Sequence, residues 1–311
     1  MYKGILNRNP FFYMYICPWE KNIKVMKIFR FGPKGQEKSG VIINDKKYDV
    51  SASGIIYDEN FFGNDEKQTE LQNYINANLA TLVEVSDDVR IGAPLTRPGK
   101  IVCVGLNFDD HVKETGLEQQ AEPIMFIKAN QSFNGPQDGI MQPNGSTKMD
   151  WETELCIVIG KKANNVSEEE AMNHVYGYAL INDISERAFQ TERGGTWDKG
   201  KGCDTFAPIG PFIATKEEIE DVNNLRVWLK LNGELMQDGN TSDFIYRIPK
   251  LVSYLSQFMS FLPGDIISTG SPAGSGMGKT PPVWLKPGDI IEYGIDGLGS
   301  TTQEILPFSK D

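Results

Sequence analysis

The chain has 311 residues, 40% of them hydrophobic and 23% charged. That composition fits a folded globular protein with one large and one smaller domain, and excludes disorder, collagen and coiled coil. Its 31 basic residues against 42 acidic ones leave a formal charge of −11, which repels a phosphate backbone and argues against nucleic acid as a partner. No apolar run reaches the roughly 20 residues that span a bilayer, so no membrane partner is expected.

In chain order, residues 1–25 come first. Lys3 and Arg8 precede Phe11-Phe12-Tyr13-Met14-Tyr15-Ile16, a stretch too short and aromatic for a signal peptide and not followed by a small-x-small cleavage site. It is read as an N-terminal extension that packs poorly, with Met26 looking like a natural start. Residues 27–31 and 40–50 alternate like strands, turning at Asn44-Asp45. Leu71, Tyr74, Ile75, Leu79 and Leu82 have helical spacing over 66–82. Pro94, Pro98 and Gly99 then mark a boundary. They divide a small N-terminal α/β domain, 26–97, from a catalytic domain, 98–307.

Beyond the boundary, strand-like runs dominate: 101–104, 124–127, 155–159, 176–183, 225–231, 265–269 and 289–293, with Asn232-Gly233 as a hairpin turn. Two helices are expected. Ser167-x-x-Glu170 opens one as a capping box, and Pro249 leads the other, carrying Leu251, Tyr254, Leu255 and Phe258. Strands outnumber helices and do not alternate with them, so the fold class is α+β on mixed sheets, not a doubly wound fold.

Cys17, Cys103, Cys156 and Cys203 stand far apart with no Cys-x-x-Cys pair, which suits a reducing cytoplasm and excludes a zinc ribbon. His111 and His174 are the only histidines, so any metal must be held mostly by oxygen. Glu152 and Glu154 stand two apart at the head of an apolar run, on the face that continues through Cys156 and Val158. Asp183 closes a second apolar run on the face of Ala179 and Ile181. Like charges on core faces repel and are costly to desolvate, and a hard divalent cation, Mg²⁺ or Mn²⁺, relieves both problems. A solvated strand start and a turn cap are the plainer alternative.

His111 and Glu114 are three apart, neighbours if the segment is helical. A carboxylate beside an imidazole raises its basicity and fixes its tautomer, as a general base acting on water requires; an ordinary surface pair is the alternative. His174 fits a helix C-terminal cation better than a catalyst. Gly278-Lys279-Thr280 invites a nucleotide-loop reading, but Ala273 stands where that motif needs glycine and Pro281-Pro282 where its helix must begin. Residues 270–280 are left either as a surface loop or as a backbone that presents N–H groups to a small carboxylate.

Five stretches in order resemble the fumarylacetoacetate hydrolase family, in its branch of bacterial diketo-acid hydrolases and isomerase relatives. They are 105–114, 150–155, 182–190, 200–211 and 269–274 within a span of about 100–306. The resemblance implies a β-roll core and a homodimer. It implies metal ligands at Glu152, Glu154 and Asp183, a water-activating dyad at His111 and Glu114, and a catalytic Lys201. Substrate contacts fall at Arg187, Gln190, Thr269 and Gly270. Phe108, Gly202-Cys203, Ser271 and Ser275 depart from the family's usual residues and are expected to alter pocket shape.

The expected reaction is metal-dependent hydrolysis of a carbon–carbon bond in a 2,4-diketo acid, an acylpyruvate-like carboxylate, to pyruvate or a relative and a carboxylic acid. Oxaloacetate decarboxylation, hydroxydienedioate isomerisation and ureidoglycolate cleavage are the chemical alternatives on the same metal site. An inactive ligand-binding homologue is the non-enzyme alternative.

Overall fold

The computed structural model describes residues 27–116, 118 and 120–310; the expected extension 1–25 lies outside them. Strands form over Lys27–Phe31, Lys38–Ile43 and Lys46–Asp49. Asn44 and Asp45 take φ of 49° and 62° between the last two, the pair of left-handed residues that a type I′ hairpin turn requires. The helix Asp65–Asn78 is capped by Asn64, whose side chain accepts from the N–H groups of Glu66 and Lys67. It stops short of Leu82, because the chain must turn to pair Val83–Glu84 with Lys46–Asp49.

One eleven-stranded sheet organises the molecule. Its order is Val83–Glu84, Lys46–Asp49, Lys38–Ile43, Lys27–Phe31, Ile213–Thr215, Val175–Asn182, Thr153–Ile159, Ile266–Ser268, Ile101–Gly105 and Ile124–Lys128, with Ile91–Gly92 also paired to Lys27–Phe31. The expected boundary near residue 97 therefore falls between strands of a single sheet. A second sheet runs Glu234–Asn240, Arg226–Leu231, Ile290–Ile295, Gly299–Leu306 and Ile140–Met141. Neither sheet closes into a barrel among the described residues. The architecture is α+β, and the strands read from the sequence begin or end within a residue or two of where they form, whereas Ile140–Met141, Ile213–Thr215 and Gly299–Leu306 were not read from it.

Thr153–Ile159 explains its own composition. Leu155, Ile157 and Ile159 share a core with Val227, Leu229, Tyr293 and Ile295 of the second sheet and with Leu251 and Leu255 of the helix Ile248–Leu255. Cys156 and Val158 point the other way, into a core with Ala179, Ile181, Val41, Leu71 and Ile75. A strand covered on both faces must be apolar on both, which is why Glu152 and Glu154 at its head stand out. The capping-box helix is short, Glu168–Ala171, with the Ser167 hydroxyl accepting from the Glu170 N–H at 3.3 Å.

Candidate metal centre

Antiparallel pairing builds the acidic cluster. Thr153 lies opposite Asn182 and Glu154 opposite Ile181, so Glu152 and Asp183 face each other just beyond the paired ends, where the Asp183 N–H donates to the Glu152 carbonyl at 2.8 Å. Carboxylate oxygens of Glu152, Glu154 and Asp183 all lie within 4.8 Å of one another, and the three side chains are buried. The sequence parity of 152 and 154 and the position of 183 thus converge on one point.

Cations surround two of the three acids. Lys201, at the end of the helix Asp198–Lys201, binds Glu152 Oε2 and, at 2.7 Å, Asp183 Oδ2. Lys128 binds Asp183 Oδ1 and donates to the Ile184 carbonyl at 2.9 Å. Arg187 Nη2 donates to Glu152 Oε1 at 2.7 Å. Burial alone would push the Glu152 carboxyl up, but Arg187 and Lys201 more than offset it and hold the group far below its usual range. Glu154 differs. It accepts from Ser268 Oγ at 2.5 Å and the Gly270 N–H at 2.8 Å, and among the described residues it makes no ion pair. Burial and then the charges of Asp183 and Glu152 push its carboxyl well up. A buried acid crowded by acids, with no ion pair of its own among the described residues, is what a divalent cation would compensate. Three hard oxygen donors fit Mg²⁺ or Mn²⁺.

The dyad forms as the spacing predicts. Both residues lie on the helix Asp109–Thr115, with His111 Nδ1 3.0 Å from Glu114 Oε2. His111 Nε2 faces the cluster, 4.0 Å from Glu152 Oε1. Burial raises the Glu114 pKa, but the hydrogen bonds from His111 and from the Gly274 N–H outweigh it, so the carboxyl stays below its usual value and charged. A Cβ at Gly278 would come within 2.2 Å of the Glu114 carboxyl carbon, so only glycine lets the loop approach the dyad this closely. His174 ends the 3₁₀ turn Met172–His174 and does not line the cavity at the cluster.

That cavity, about 120 Å³, is lined by Glu152, Glu154, Asp183, His111, Arg187, Gln190, Lys201 and Gly270. Thr269 does not line it, because its hydroxyl is turned to the Leu155 carbonyl at 2.9 Å. Arg187 lines it but is already held by Glu152, by Asp150 through Nε at 2.8 Å and by Gln190 through Nη1 at 3.1 Å. The glycine-rich loop spends its N–H groups on the protein's own carboxylates. Gly270 donates to Glu154, Ala273 to Asp110, Gly274 to Glu114, and Gly276 and Met277 to Asp150. Of the residues that depart from the family pattern, only Ser271 reaches the cavity; Phe108 instead packs edge-on against Phe244 in the core.

Asp150 and Lys128 were assigned no role from sequence, although signals were present. Asp150 shares the parity of Glu152 and Glu154, and Lys128 that of Phe126 at the end of an apolar strand. Asp150 is fully buried. It joins the loop at Gly276 and Met277 to Arg187, and Arg187 to Glu152 of the acidic cluster. Asp150→Asn should therefore destabilise the protein by about 3 kcal/mol, since removing one partner leaves a buried guanidinium under-compensated. Urea unfolding measures the loss, and faster amide exchange confined to residues 270–278 would locate it.

Comparison with known proteins agrees with this geometry. The family model for the fumarylacetoacetate (FAA) hydrolase C-terminal region matches residues 100–306. A relative from Burkholderia ambifaria, carrying only a general hydrolase name, is 45% identical over 280 residues, 89% of this chain and 98% of its own. The solved fumarylacetoacetate hydrolase (EaFAH) of psychrophilic Exiguobacterium antarcticum superposes with a TM-score of 0.80 at 32% identity, covering 91% of this chain and all of that one. Maleylpyruvate hydrolase from Sphingobium sp. SYK-6, solved with manganese(II) and pyruvate, gives 0.74 at 28% identity over the same shares. The chain belongs to the fumarylacetoacetate hydrolase family.

Proposed function

We propose that this protein is a Mg²⁺- or Mn²⁺-dependent hydrolase that cleaves the C3–C4 bond of a 2,4-diketo acid, releasing pyruvate or a close relative and a carboxylic acid. The observation that carries this reading is the dyad opposed to the acidic cluster: His111 Nε2 turned toward Glu152 while Nδ1 is fixed by Glu114. A decarboxylase can tolerate the loss of such a base. The family likeness supports a homodimer, and the free cysteines Cys103, Cys156 and Cys203 suit a reducing cytoplasm.

With Nδ1–H held by the Glu114 carboxylate, Nε2 carries the lone pair and takes a proton from water. The hydroxide adds to the 4-carbonyl carbon. Lys201 and Gln190 steady the negative oxygens through charge-assisted and neutral hydrogen bonds. When the C3–C4 bond breaks, its electron pair passes to the 2-oxo acid fragment as an enolate, which is protonated at C3. A divalent cation held by Glu152, Glu154 and Asp183 would supply the positive charge that stabilises that enolate.

The test is a panel of acylpyruvates and oxaloacetate in H₂¹⁸O, following enol absorbance with and without chelator. Acylpyruvate cleavage that stops with chelator and restarts with Mg²⁺ or Mn²⁺ is expected, with ¹⁸O in the released carboxylic acid. Loss of CO₂ from oxaloacetate with every acylpyruvate left intact would overturn the assignment.

A further inference from the structure

We propose that the site takes acylpyruvates whose acyl end is short and uncharged, and discriminates against those ending in a second carboxylate. This rests on the reaction proposed above and names its substrate class.

The cavity is small, about 120 Å³. Part of its wall is hydrocarbon: Val104, Leu106, Phe126, Trp197 and Met277, with Lys201 Nζ 4.9 Å from the Phe126 ring centre. The Phe126 and Trp197 rings sit 5.3 Å apart. Trp197 lies so close to the chain at Gly105 that a Cβ there would approach its ring to 2.8 Å. Among the described residues lining the cavity, the basic groups are His111, Arg187 and Lys201, and each is committed. Arg187 is held by Asp150, Glu152 and Gln190, His111 by Glu114, and Lys201 by Glu152 and Asp183, with its remaining donor given to the reacting oxygens. A carboxylate at the acyl end would lose its water against carbon and find no counter-charge. An alkyl end meets no such penalty.

Leu106 is the residue that shapes this wall. Its φ of 54° is left-handed, a conformation that a branched L side chain avoids. The neighbouring Asn107 enforces it. The Asn107 amide donates to the Tyr246 carbonyl at 3.1 Å and the Thr269 carbonyl at 2.8 Å, and its oxygen accepts from the Tyr246 N–H at 2.7 Å. Strain maintained beside a reactive cluster points to a function for the side chain it presents.

The experiment compares butanoylpyruvate with succinylpyruvate on the manganese-loaded protein and on Leu106→Lys and Met277→Lys. Met277 is 40% exposed, so the second variant keeps the test open if the first fails to fold. Butanoylpyruvate should be favoured at least about tenfold in kcat/KM, the cost of one unpaired buried polar group. A lysine at either position should narrow or reverse that ratio by about tenfold. Equal or better cleavage of succinylpyruvate by the unmodified protein would leave the reaction standing and overturn the specificity. So would folded, manganese-binding lysine variants with an unchanged ratio. Cleavage of neither acid would overturn both readings.

Discussion

Glu154→Gln should abolish divalent-cation binding while leaving the metal-free protein at least as stable as the unmodified one. Among the described residues Glu154 is the acid of the cluster without an ion pair, and its two hydrogen bonds there, from Ser268 Oγ and the Gly270 N–H, end on a single oxygen, Oε2. A carboxamide oxygen accepts both. The new NH₂ then faces the Glu152 and Asp183 carboxylates, within reach of the 4.8 Å cluster, so a repulsion becomes a hydrogen bond. For a cation the same change removes one of three anionic donors. Altering partners of metal ligands already costs about 10–100-fold in affinity, so losing a ligand should cost more than about 100-fold. Glu152→Gln is expected to behave differently, because Arg187 and Lys201 both lean on that carboxylate. Its loss should weaken the fold itself by about 3–5 kcal/mol. Calorimetric Mn²⁺ titration with thermal melts of the metal-free variants separates the two. Parental Mn²⁺ affinity in Glu154→Gln would remove it from the ligand set.

These contrasting outcomes were only half legible in the sequence. Face parity brought Glu152, Glu154 and Asp183 together, because an antiparallel pair buried on both sides leaves little freedom in where strand-end side chains point. Helical spacing likewise joined His111 to Glu114. Parity names a face but not the partner across it. Arg187 was expected to meet substrate, yet its guanidinium is spanned by Asp150, 37 residues away, and Glu152, 35 away. The partners of the glycine loop were hidden for a related reason. Which acceptors its N–H groups find depends on Gly276 reaching Asp150 over 126 residues and Gly274 reaching Glu114 over 160, and no local pattern encodes such distances. Thr269 was implied as a substrate contact by the resemblance alone, and only the folded sheet shows its hydroxyl turned to Leu155.

His111→Ala should lower kcat for acylpyruvate hydrolysis by about 10²–10⁴-fold, the usual worth of a positioned general base, and leave Mn²⁺ affinity within a few-fold of its parental value. The two readouts separate because His111 Nε2 stands 4.0 Å from Glu152, close enough to act on a water at the cluster yet outside hydrogen-bonding distance of that carboxylate. Glu114→Gln should cost less than His111→Ala, since the imidazole survives but the fixed charge that holds its tautomer is gone. Added imidazole should partly restore hydrolysis to His111→Ala, where the deleted ring leaves space, and should do nothing for Glu154→Gln. A reaction that only requires an enolate, such as oxaloacetate decarboxylation, has no water to activate and should survive in His111→Ala. Undiminished acylpyruvate hydrolysis in that variant would remove the dyad from the mechanism, and the site would then be read as that of a decarboxylase or isomerase working through the acidic cluster and Lys201.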